Sequence, residues 1–459
     1  MDVRIKFLGG AQSVTGSKFL LEIDEFRLLI DCGLFQGLKK LRLRNWEDLP
    51  IPAESIDAIV LTHAHLDHSG YVPRIVKQGF KGKIHCTEAT ADLLEILWID
   101  SAKLQEEEAE FIKKKGYSKH ENPLALYNQK DVQISLPLLK THPFETLITL
   151  TENIQLKFYP AGHILGASIV ELKVKGDTQE KNLLISGDIG RENDPVLFPP
   201  TVVKSADIVL MESTYGDRIN NNEDIKETLK DHILKNIDSG VIMIPAFTVG
   251  RTQNLLLYLH DLMRTGDIPE TPVYIDSPMA ISVTSLYEKY DALHRLEDKA
   301  VFNDRNFHYV KDQMQSNSLK ALKNKAIIIS ASGMLTGGRI LNHLFQRLSN
   351  KNDTLLFSGY QAIGTRGRDI LEGKEKIRIY GEEISVHCQY DEIEGLSAHA
   401  DQTELIEWYQ KIVEKPKYTF IVHGEIRAAE ALKSKLENAG AKNVFIPDYL
   451  ESFELFSGI

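Results

Sequence analysis

Three histidines and one aspartate stand within six positions of this sequence, as His63-x-His65-x-Asp67-His68. Neutral imidazole and carboxylate are the ligands that a borderline cation such as zinc prefers. The preceding residues 56–61 are mostly apolar and predict a buried strand, so alternation at its end places His63 and His65 on the same side of the backbone. The turn that follows presents Asp67 and His68 from another direction. This segment therefore offers two pairs of ligands, which suits two adjacent cations.

Further residues of the same types follow the ends of predicted strands. The alternating run 154–160 leads to His163, which lies between two glycines, and the next predicted strand leads to Asp188. A third apolar run ends at Glu212. Each of these is weak alone, since Gly-Asp is common in turns. Because each lies at the carboxyl end of a strand, we expect them to share one rim with the histidine cluster.

Asp31 has two interpretations. It ends an apolar run and precedes a glycine turn. Taken alone, these features favour a turn cap over a role beside a metal by about two to one. The alternative is that it accepts a hydrogen bond from a metal-binding histidine and so orients that ring.

Composition limits the class of protein. With 459 residues and 42% hydrophobic content, the chain can bury a large core and form more than one domain. No run approaches the roughly 18 apolar residues of a membrane span, and the N-terminus predicts a first strand rather than a signal peptide. Three dispersed cysteines favour a reducing cytosol over a disulfide framework. The net charge of −11 argues against a generally basic nucleic-acid binder but allows a local basic groove.

The chain divides into two kinds of pattern. Residues 1–35 alternate apolar and polar positions between glycine and serine breaks, which predicts antiparallel strands. From about 217 to 383, helical patterns alternate with short apolar strands at 240–246, 272–276, 326–330 and 354–358, which predicts a parallel sheet covered by helices in a second α/β domain. The basic run 39–44 predicts either a solvated face or a phosphate-binding surface.

The loops of the second domain combine glycine with polar and basic residues. Examples are the loop with Ser332 and Gly333, the nearby Arg339, and the loop with Arg366 and Arg368. Glycine loops with arginine can hold phosphates. Tight turns between strand and helix are at least as good an explanation for any one of them.

With these residues in place, the chain resembles the β-CASP family of metallo-β-lactamase-fold hydrolases. Within that family it is most similar to the group that cuts RNA, which includes the pre-mRNA 3′-end-processing endonuclease and its bacterial and archaeal relatives. Seven motif elements match in the family's order over nearly the whole chain, namely Asp31, the cluster from His63 to His68, His163, Asp188, Glu212, His399 and His423.

The resemblance implies a fold and a metal complement. The fold would be α/β, with a four-layer αβ/βα metallo-β-lactamase domain built from residues 1–212 and 384–459, and an inserted α/β β-CASP cap domain at 213–383. The family carries two zinc ions per chain, for which manganese or iron could substitute. The first zinc would be held by His63, His65, His163 and Asp188, and the second by Asp67, His68, Asp188 and His423. Asp31 would then orient a ligand histidine rather than cap a turn.

The resemblance also implies an activity, the zinc-dependent hydrolysis of phosphodiester bonds in single-stranded RNA. A hydroxide held between the cations would attack phosphorus, leaving a 5′ phosphate and a 3′ hydroxyl. The implied catalytic residues are Asp67, His399 and Glu212, where His399 protonates the leaving 3′ oxygen and Glu212 holds its ring. RNA is favoured over DNA because His423 stands where DNA-cutting relatives typically lack a histidine. The phosphate-binding candidates are Lys39, Lys40, Ser332, Gly333, Arg339, Arg366 and Arg368.

Two other functions stay open at this point. One is a small-molecule hydrolase of the same fold, such as a thioesterase, against which the large insertion and the pair of His399 with Glu212 argue. The other is a non-catalytic RNA-binding subunit, against which the complete ligand set argues. Whether cutting is internal or proceeds from the 5′ end is also open. The expected setting is cytoplasmic and away from membranes, and family habit favours a homodimer.

Overall fold

The structure is a computed structural model that describes residues 1–115, 124–220, 224–298, 300–359, 361–393 and 395–458. Its contacts define two compact units. The first comprises Met1–Asp194, Phe198–Ile219 and His399–Ile459, and the second comprises Pro195–Leu197 and Asn220–Ala398. No helix in the described part of the chain combines the length and the apolar character that crossing a bilayer requires.

All of the described strands that precede residue 213 belong to the first unit. In chain order they are β1 (Val3–Gly9), β2 (Lys18–Ile23), β3 (Phe26–Ile30), β4 (Ala58–Val60), β5 (Lys83–Thr87), β6 (Leu139–His142), β7 (Ile148–Thr151), β8 (Ile154–Pro160), β9 (Ser168–Lys175), β10 (Glu180–Ile185) and β11 (Ile208–Glu212). The helices of this part are α1 (Lys39–Leu43), α2 (Leu66–Ser69), α3 (Val72–Lys77), α4 (Glu88–Lys115) and α5 (Gln129–Ser135).

The second unit alternates helices and strands. They are α6 (Ile225–Asn236), β12 (Val241–Pro245), α7 (Arg251–Thr265), β13 (Val273–Ile275), α8 (Pro278–Lys289), β14 (Phe307–Tyr309), α9 (Gln313–Ser318), β15 (Ala326–Ser330), α10 (Ile340–Arg347), β16 (Thr354–Phe357), α11 (Arg366–Leu371), β17 (Lys376–Ile379), β18 (Glu382–Ser385) and β19 (Gln389–Glu392).

The chain then returns to the first unit. The returning elements are α12 (Gln402–Gln410), β20 (Tyr418–Val422), α13 (Ile426–Asn438), β21 (Val444–Phe445) and β22 (Ser452–Phe456). One-turn 3-10 helices occupy Arg44–Trp46, Ala53–Ser55, Leu136–Leu138, Asp291–Leu293, Val301–Asn303 and Leu319–Ala321.

Two seven-stranded sheets form the first unit. Their strand orders are β22-β1-β2-β3-β4-β5-β6 and β21-β20-β11-β10-β9-β8-β7. Strands β1, β2 and β3 pair antiparallel, which confirms the prediction for residues 1–35. The sheets face each other across one core, because inward residues such as Val3, Ile5 and Phe7 pack with Phe158 and Phe420 of the other sheet. Helix α4 contacts β5 and β6 of the first sheet and α13 contacts β20 and β21 of the second, so the layers run helix, sheet, sheet, helix.

Strand direction positions the candidate site. Strands β10, β11 and β20 are parallel to one another, and β8 and β10 both pair antiparallel with β9. The carboxyl ends of β8, β10, β11 and β20 therefore meet at the same edge of the second sheet. In the first sheet β3 and β4 are also parallel, so the segments that follow them leave at one edge.

A six-stranded sheet forms the centre of the second unit, in the order β14-β13-β15-β12-β16-β19, and its pairs are all parallel. The parallel sheet and the strands β12, β13, β15 and β16 confirm the sequence prediction. Strands β12 and β15 are apolar and fully buried, as expected of a sheet covered on both faces. Strands β14 and β19 were not predicted, because one has three residues and the other, Gln-Tyr-Asp-Glu, has a polar sequence.

Candidate metal centre

Four of the predicted residues form a first cluster. Nε2 of His63 and Nε2 of His163 lie 3.1 and 3.2 Å from Nδ1 of His65. Asp188 completes the group, since its Oδ2 lies 3.4 Å from Nε2 of His63 and 3.5 Å from Nε2 of His163. One potential ligand atom from each residue lies within 4.8 Å of the others, which is the convergence that one cation requires.

Three more predicted residues, Asp67, His68 and His423, form a second cluster. Nε2 of His423 lies 3.9 Å from Oδ2 of Asp67. The other carboxylate oxygen of Asp188, Oδ1, lies 3.2 Å from Nε2 of His68 and 3.7 Å from Nε2 of His423. Asp188 therefore presents one oxygen to each cluster, as a bridging carboxylate would.

Local backbone conformation delivers these side chains. The turn after β4 leads into the short helix α2. Asp67 and His68 are in its first turn, two and three residues after His65. The loop after β3 approaches this turn closely, because Gly33 has no Cβ: an added Cβ would lie 1.6 Å from the backbone oxygen of Asp67. His423 directly follows β20 with φ of 47°, and its N–H donates to the carbonyl of Gly10 at 2.6 Å.

The outward-facing ring nitrogens of His68 and His423 have hydrogen-bonding partners. Nδ1 of His68 lies 2.7 Å from Oδ2 of Asp31, which is buried and also accepts from the N–H and hydroxyl of Thr62. Nδ1 of His423 lies 2.7 Å from the hydroxyl of Ser17. Such contacts select the tautomer and fix the ring, and they place Asp31 where an orienting residue is needed.

Burial keeps most of the rings neutral. It lowers the pKa of His65 to about 4 and the pKa of His423 to about 3, and it also lowers the pKa of His63. A neutral imidazole has a free electron pair on one nitrogen, so these rings can bind a cation without first losing a proton.

Two further observations indicate that the site fits a divalent cation. Nε2 of His68 and Oδ1 of Asp188 are buried and lie 3.2 Å apart, yet neither forms a hydrogen bond of good geometry with the other or with any group in the described part of the chain. Unsatisfied buried polar atoms are costly, and a metal ion would satisfy both. Burial acts to lower the pKa of His68, yet the carboxylates of Asp188 and Asp31 hold it well above its usual value. These two buried carboxylates therefore favour a positive charge at this position, which a metal ion would supply.

Glu212 and His399 form a third group beside Asp188. Oε1 of Glu212 lies 3.2 Å from Nδ1 of His399 and accepts from the N–H of Ile189 at 2.6 Å. Nδ1 of His399 lies 4.0 Å from Oδ2 of Asp188. Burial acts to lower the pKa of His399, but the carboxylates of Glu212, Asp188 and Asp67 together outweigh it and raise that pKa to about 9. The ring therefore carries a proton beside the two clusters.

The phosphate-binding candidates lie in both units. Lys39 and Lys40 are exposed on α1 of the first unit. Ser332 and Gly333 follow β15 in the second unit, where the Ser332 hydroxyl accepts from the N–H of Thr336 at 3.0 Å. That contact is typical of a tight turn.

The three candidate arginines of the second unit already contact protein groups. Arg339 donates to the buried carboxylate of Asp276 at 2.7 Å, Arg366 donates to backbone carbonyls of residues 335 and 378, and Arg368 pairs with Glu372 at 2.7 Å. Phosphate binding by these side chains stays a prediction, and it would require them to exchange or share these partners.

Sequence reasoning missed Ser17 and Thr62. Both are buried, and the Thr62 hydroxyl lies 3.0 Å from Nδ1 of His63. Thr62 adjoins the histidine cluster, so its position was a usable clue. Ser17 is 406 residues from His423 along the chain, and nothing in the sequence pattern links the two.

Three family models match successive parts of the chain. Residues 15–221 match the metallo-beta-lactamase superfamily, residues 252–370 match the Beta-Casp domain, and residues 383–447 match a Zn-dependent metallo-hydrolase RNA specificity domain. The matches agree with the fold and with the divalent-metal chemistry of the clustered histidines and aspartates.

Relatives match over nearly the full chain. Ribonuclease TTHA0252 of Thermus thermophilus is 34% identical over 450 residues, which cover 95% of this chain and 97% of the relative. An RNase J-like protein of Methanocaldococcus jannaschii is 32% identical, covering 92% and 93%. Transcription termination factor FttA of Methanosarcina mazei is 31% identical, covering 95% and 69%.

A solved structure supports the fold alone. A protein of unknown function from Enterococcus faecalis V583 aligns with a TM-score of 0.55 at 14% sequence identity, over 99% of this chain and 100% of the other. Taken with the motif residues, the family models and the near-complete relatives, these similarities show that the chain belongs to the β-CASP ribonuclease family of metallo-β-lactamase-fold, metal-dependent hydrolases.

Proposed function

We propose that this protein hydrolyses phosphodiester bonds in single-stranded RNA, using two zinc ions per chain, and leaves a 5′ phosphate and a 3′ hydroxyl. The observation that carries the proposal is the shared carboxylate of Asp188, whose two oxygens face two separate groups of nitrogen and oxygen donors. The ribonuclease names of two relatives and the RNA specificity model support RNA as the polymer.

The first cation would be held by His63, His65, His163 and Asp188, and the second by Asp67, His68, Asp188 and His423. Divalent cations in such a pair lower the pKa of water and offset the negative charge that develops on phosphorus. The protein's own contribution is to hold neutral ring nitrogens in place, which Asp31 and Ser17 support from the far side of two rings.

His399 is the residue to which we assign the proton for the leaving 3′ oxygen. Nδ1 of His399 faces Glu212, so we assign Nε2 to the substrate. Glu212 is fully buried and also accepts from the N–H of Ile189, so its carboxylate is fixed before substrate binds. A positioned general acid of this kind contributes about 10²- to 10⁴-fold to the rate.

The remaining expectations belong to the same proposal. We propose that residues 1–212 and 384–459 form the metallo-β-lactamase domain and that 213–383 form the β-CASP domain, although residues 384–398, which include β19, belong to the second compact unit. We also propose a cytoplasmic protein that acts as a homodimer, with Lys39, Lys40, Ser332, Gly333, Arg339, Arg366 and Arg368 contacting phosphates.

The decisive experiment compares wild type, His399→Ala and a control, His308→Ala, on single-stranded RNA and DNA labelled internally and at the 5′ end. His308 is an exposed histidine of β14 and serves as a histidine replacement in the second unit. We expect RNA cleavage that a chelator abolishes, that His399→Ala reduces about 10²- to 10⁴-fold, and that His308→Ala leaves unchanged.

The product ladder distinguishes internal cutting from attack at the 5′ end, and metal analysis should find two zinc ions per chain. If protein that carries two metals cleaves neither polymer, the ribonuclease proposal is wrong. A generic thioester would then test the small-molecule hydrolase.

A further inference from the structure

Residues 38–46, Leu-Lys-Lys-Leu-Arg-Leu-Arg-Asn-Trp, form an unusual surface that we call the basic-aromatic segment. Four of its nine residues are basic and none is acidic, although the whole chain carries a net charge of −11. Helix α1 within it has no buried residue. Three of its four large apolar side chains are about half exposed, namely Leu38 (48%), Leu43 (53%) and Trp46 (51%).

Trp46 is the exposed tryptophan of this protein. The other two, Trp98 and Trp408, are 0% and 3% exposed and belong to the core. About half of the Trp46 indole is open to solvent, and an exposed aromatic plane that adjoins several basic side chains offers a surface on which a base can stack. Lys39, Lys40 and Arg42 have no ion pair with any residue in the described part of the chain, so their charges are available to a ligand.

The segment is held in place although its helix lacks a core. The side chain of Asn45 accepts from the N–H of Phe35 at 2.9 Å and donates to its carbonyl at 2.8 Å. The guanidinium of Arg44 lies 3.8 Å from the ring centre of Tyr449 and 5.5 Å from that of Phe35. Trp46 is therefore attached to a fixed loop and presents its ring at low entropic cost.

A short path leads from this loop to the metal centre. Leu34 donates its N–H to the carbonyl of Leu66 at 2.8 Å, and Leu66 precedes the candidate ligand Asp67. The next residue, Phe35, forms two backbone hydrogen bonds with the side chain of Asn45, and Asn45 directly precedes Trp46. The Cα atoms of Asp67 and Trp46 are thus at most roughly 25 Å apart, a distance that a few nucleotides can span.

We propose that Trp46 stacks on an unpaired base of the RNA substrate while Lys39, Lys40 and Arg42 neutralise the phosphates beside that base. The inference rests on the proposed ribonuclease function and adds a base-binding site to it. Stacking on an aromatic side chain within a basic surface is how single strands are bound without regard to sequence. A five-residue helix is too short for the amphipathic face that membrane binding needs, and four like charges oppose contact between this segment and the same segment of a second copy.

Trp46 is exposed whereas Trp98 and Trp408 are buried, so a change in tryptophan emission on adding RNA reports on Trp46. The experiment uses the zinc-loaded His399→Ala protein, because this variant slows cleavage of the RNA. Binding of a short oligoadenylate should quench the emission of Trp46 and reduce its quenching by acrylamide. The buried tryptophans respond to neither, so the same titration of His399→Ala/Trp46→Phe should show almost no change in tryptophan emission.

Binding affinity tests the stack itself. Relative to the same parent, Trp46→Ala should raise the dissociation constant for oligoadenylate about tenfold, whereas Trp46→Phe, which keeps a ring, should raise it by less. Leu104→Ala, which truncates an equally exposed side chain on α4, should leave it unchanged. Lys39→Ala and Lys40→Ala together should reduce the slope of log affinity against log salt by about 0.7 for each phosphate that is no longer neutralised.

The outcomes separate this inference from the proposed function. If wild type cleaves RNA but Trp46→Ala binds it as tightly as the parent, or emission stays unchanged at saturation, the stack is wrong and the ribonuclease stands. If Trp46 responds to RNA while wild type cleaves nothing, the stack stands and the ribonuclease fails. A response to phosphatidylserine vesicles in place of RNA, or a change of oligomeric state in Trp46→Ala without loss of RNA affinity, would overturn the stack.

Discussion

His68 and His423 each direct one ring nitrogen at Asp188 and have the other beside a polar side chain. For His68 that partner is the Asp31 carboxylate, and for His423 it is the Ser17 hydroxyl. A histidine that binds a cation through Nε2 carries its proton on Nδ1, so both partners act as acceptors. The second cluster is therefore arranged by two residues that do not themselves bind a metal.

Removing the Ser17 hydroxyl tests this arrangement. We expect Ser17→Ala to weaken binding of the second zinc about tenfold, because the His423 ring loses the acceptor that fixes its tautomer. Competition with a chromogenic chelator measures the affinity of each of the two sites. Ser13→Ala is the matched control, since Ser13 lies in the same loop, is also buried and contacts Thr15. Equal zinc affinity in Ser17→Ala and wild type would contradict the prediction.

At the residue scale, the sequence identified the residues whose chemistry is distinctive and missed those whose chemistry is common. The spacing from His63 to His68 indicated two directions of approach, and the structure has Asp67 and His68 facing a different group of donors from His63. Ser17 could not be found, because serine is frequent and its contact depends on the pairing of distant segments. The metal-binding roles themselves stay predictions.

At the scale of elements, the turn of α2 depends on the loop that follows β3. We expect Gly33→Ala to abolish zinc binding by the second cluster, because the added Cβ would overlap the backbone oxygen of Asp67 and displace the helix that carries Asp67 and His68. Metal content of the purified protein measures this. Gly337→Ala is the control, since nothing lies within 4 Å of a Cβ there. Two zinc ions in Gly33→Ala would show that the loop can move aside.

Strand β2 contains a buried lysine whose charge costs stability. The Lys18 ammonium group donates to the carbonyl of Gly33 and lies 4.5 and 4.7 Å from the ring centres of Phe35 and Tyr71. The side chain is 2% exposed, and burial lowers its pKa to about 8. Between pH 8 and the ordinary lysine pKa of about 10.5, the unfolded chain binds more protons than the folded one, so raising the pH in that window favours folding.

We therefore expect the free energy of unfolding of wild type, minus that of Lys18→Met, to increase by up to about 3 kcal/mol from pH 8 to pH 10.5. Denaturant unfolding followed by tryptophan emission measures it for the first unit, which contains all three tryptophans. The difference between the two proteins cancels the ionisation of buried groups that do not interact with Lys18, and the Cys32 thiol, which does interact with it, is removed from both proteins by Cys32→Ala. Parallel pH curves would mean that Lys18 titrates at its ordinary pKa.

The elements themselves were predictable to different degrees. Apolar buried strands such as β12 and β15 were predicted because their composition is distinctive, and the meander of β1 to β3 followed from alternation. The polar strand β19 depends on its pairing with β16 rather than on its own sequence. Helix α1 was expected only as a basic run, because it lacks the apolar face that periodicity detects.

For the whole molecule, metal binding and folding of the first unit are linked, because donors of both clusters come from segments far apart in the chain. We expect chelation to lower the midpoint of the unfolding transition that tryptophan emission reports, and added zinc to restore it. At free zinc 100 times the dissociation constant, the stabilisation should be about 2.7 kcal/mol for each site. His63→Ala should lose the stabilisation that zinc binding to the first cluster provides. If zinc does not change the unfolding midpoint of wild type, the linkage is wrong.

The order in which a ribosome makes this chain determines when the site can close. A nascent chain of 400 residues already contains every residue of the first cluster and both members of the Glu212 and His399 pair, yet it lacks His423. It also lacks β20, which flanks β11, and β22, which pairs with β1. The second cluster therefore forms only after residue 423 has been synthesised. If His423 binds the second zinc as proposed, a chain shorter than 423 residues that is still attached to its messenger RNA lacks one donor of the second cluster, so the late position of this histidine delays completion of the site until most of the chain has been made.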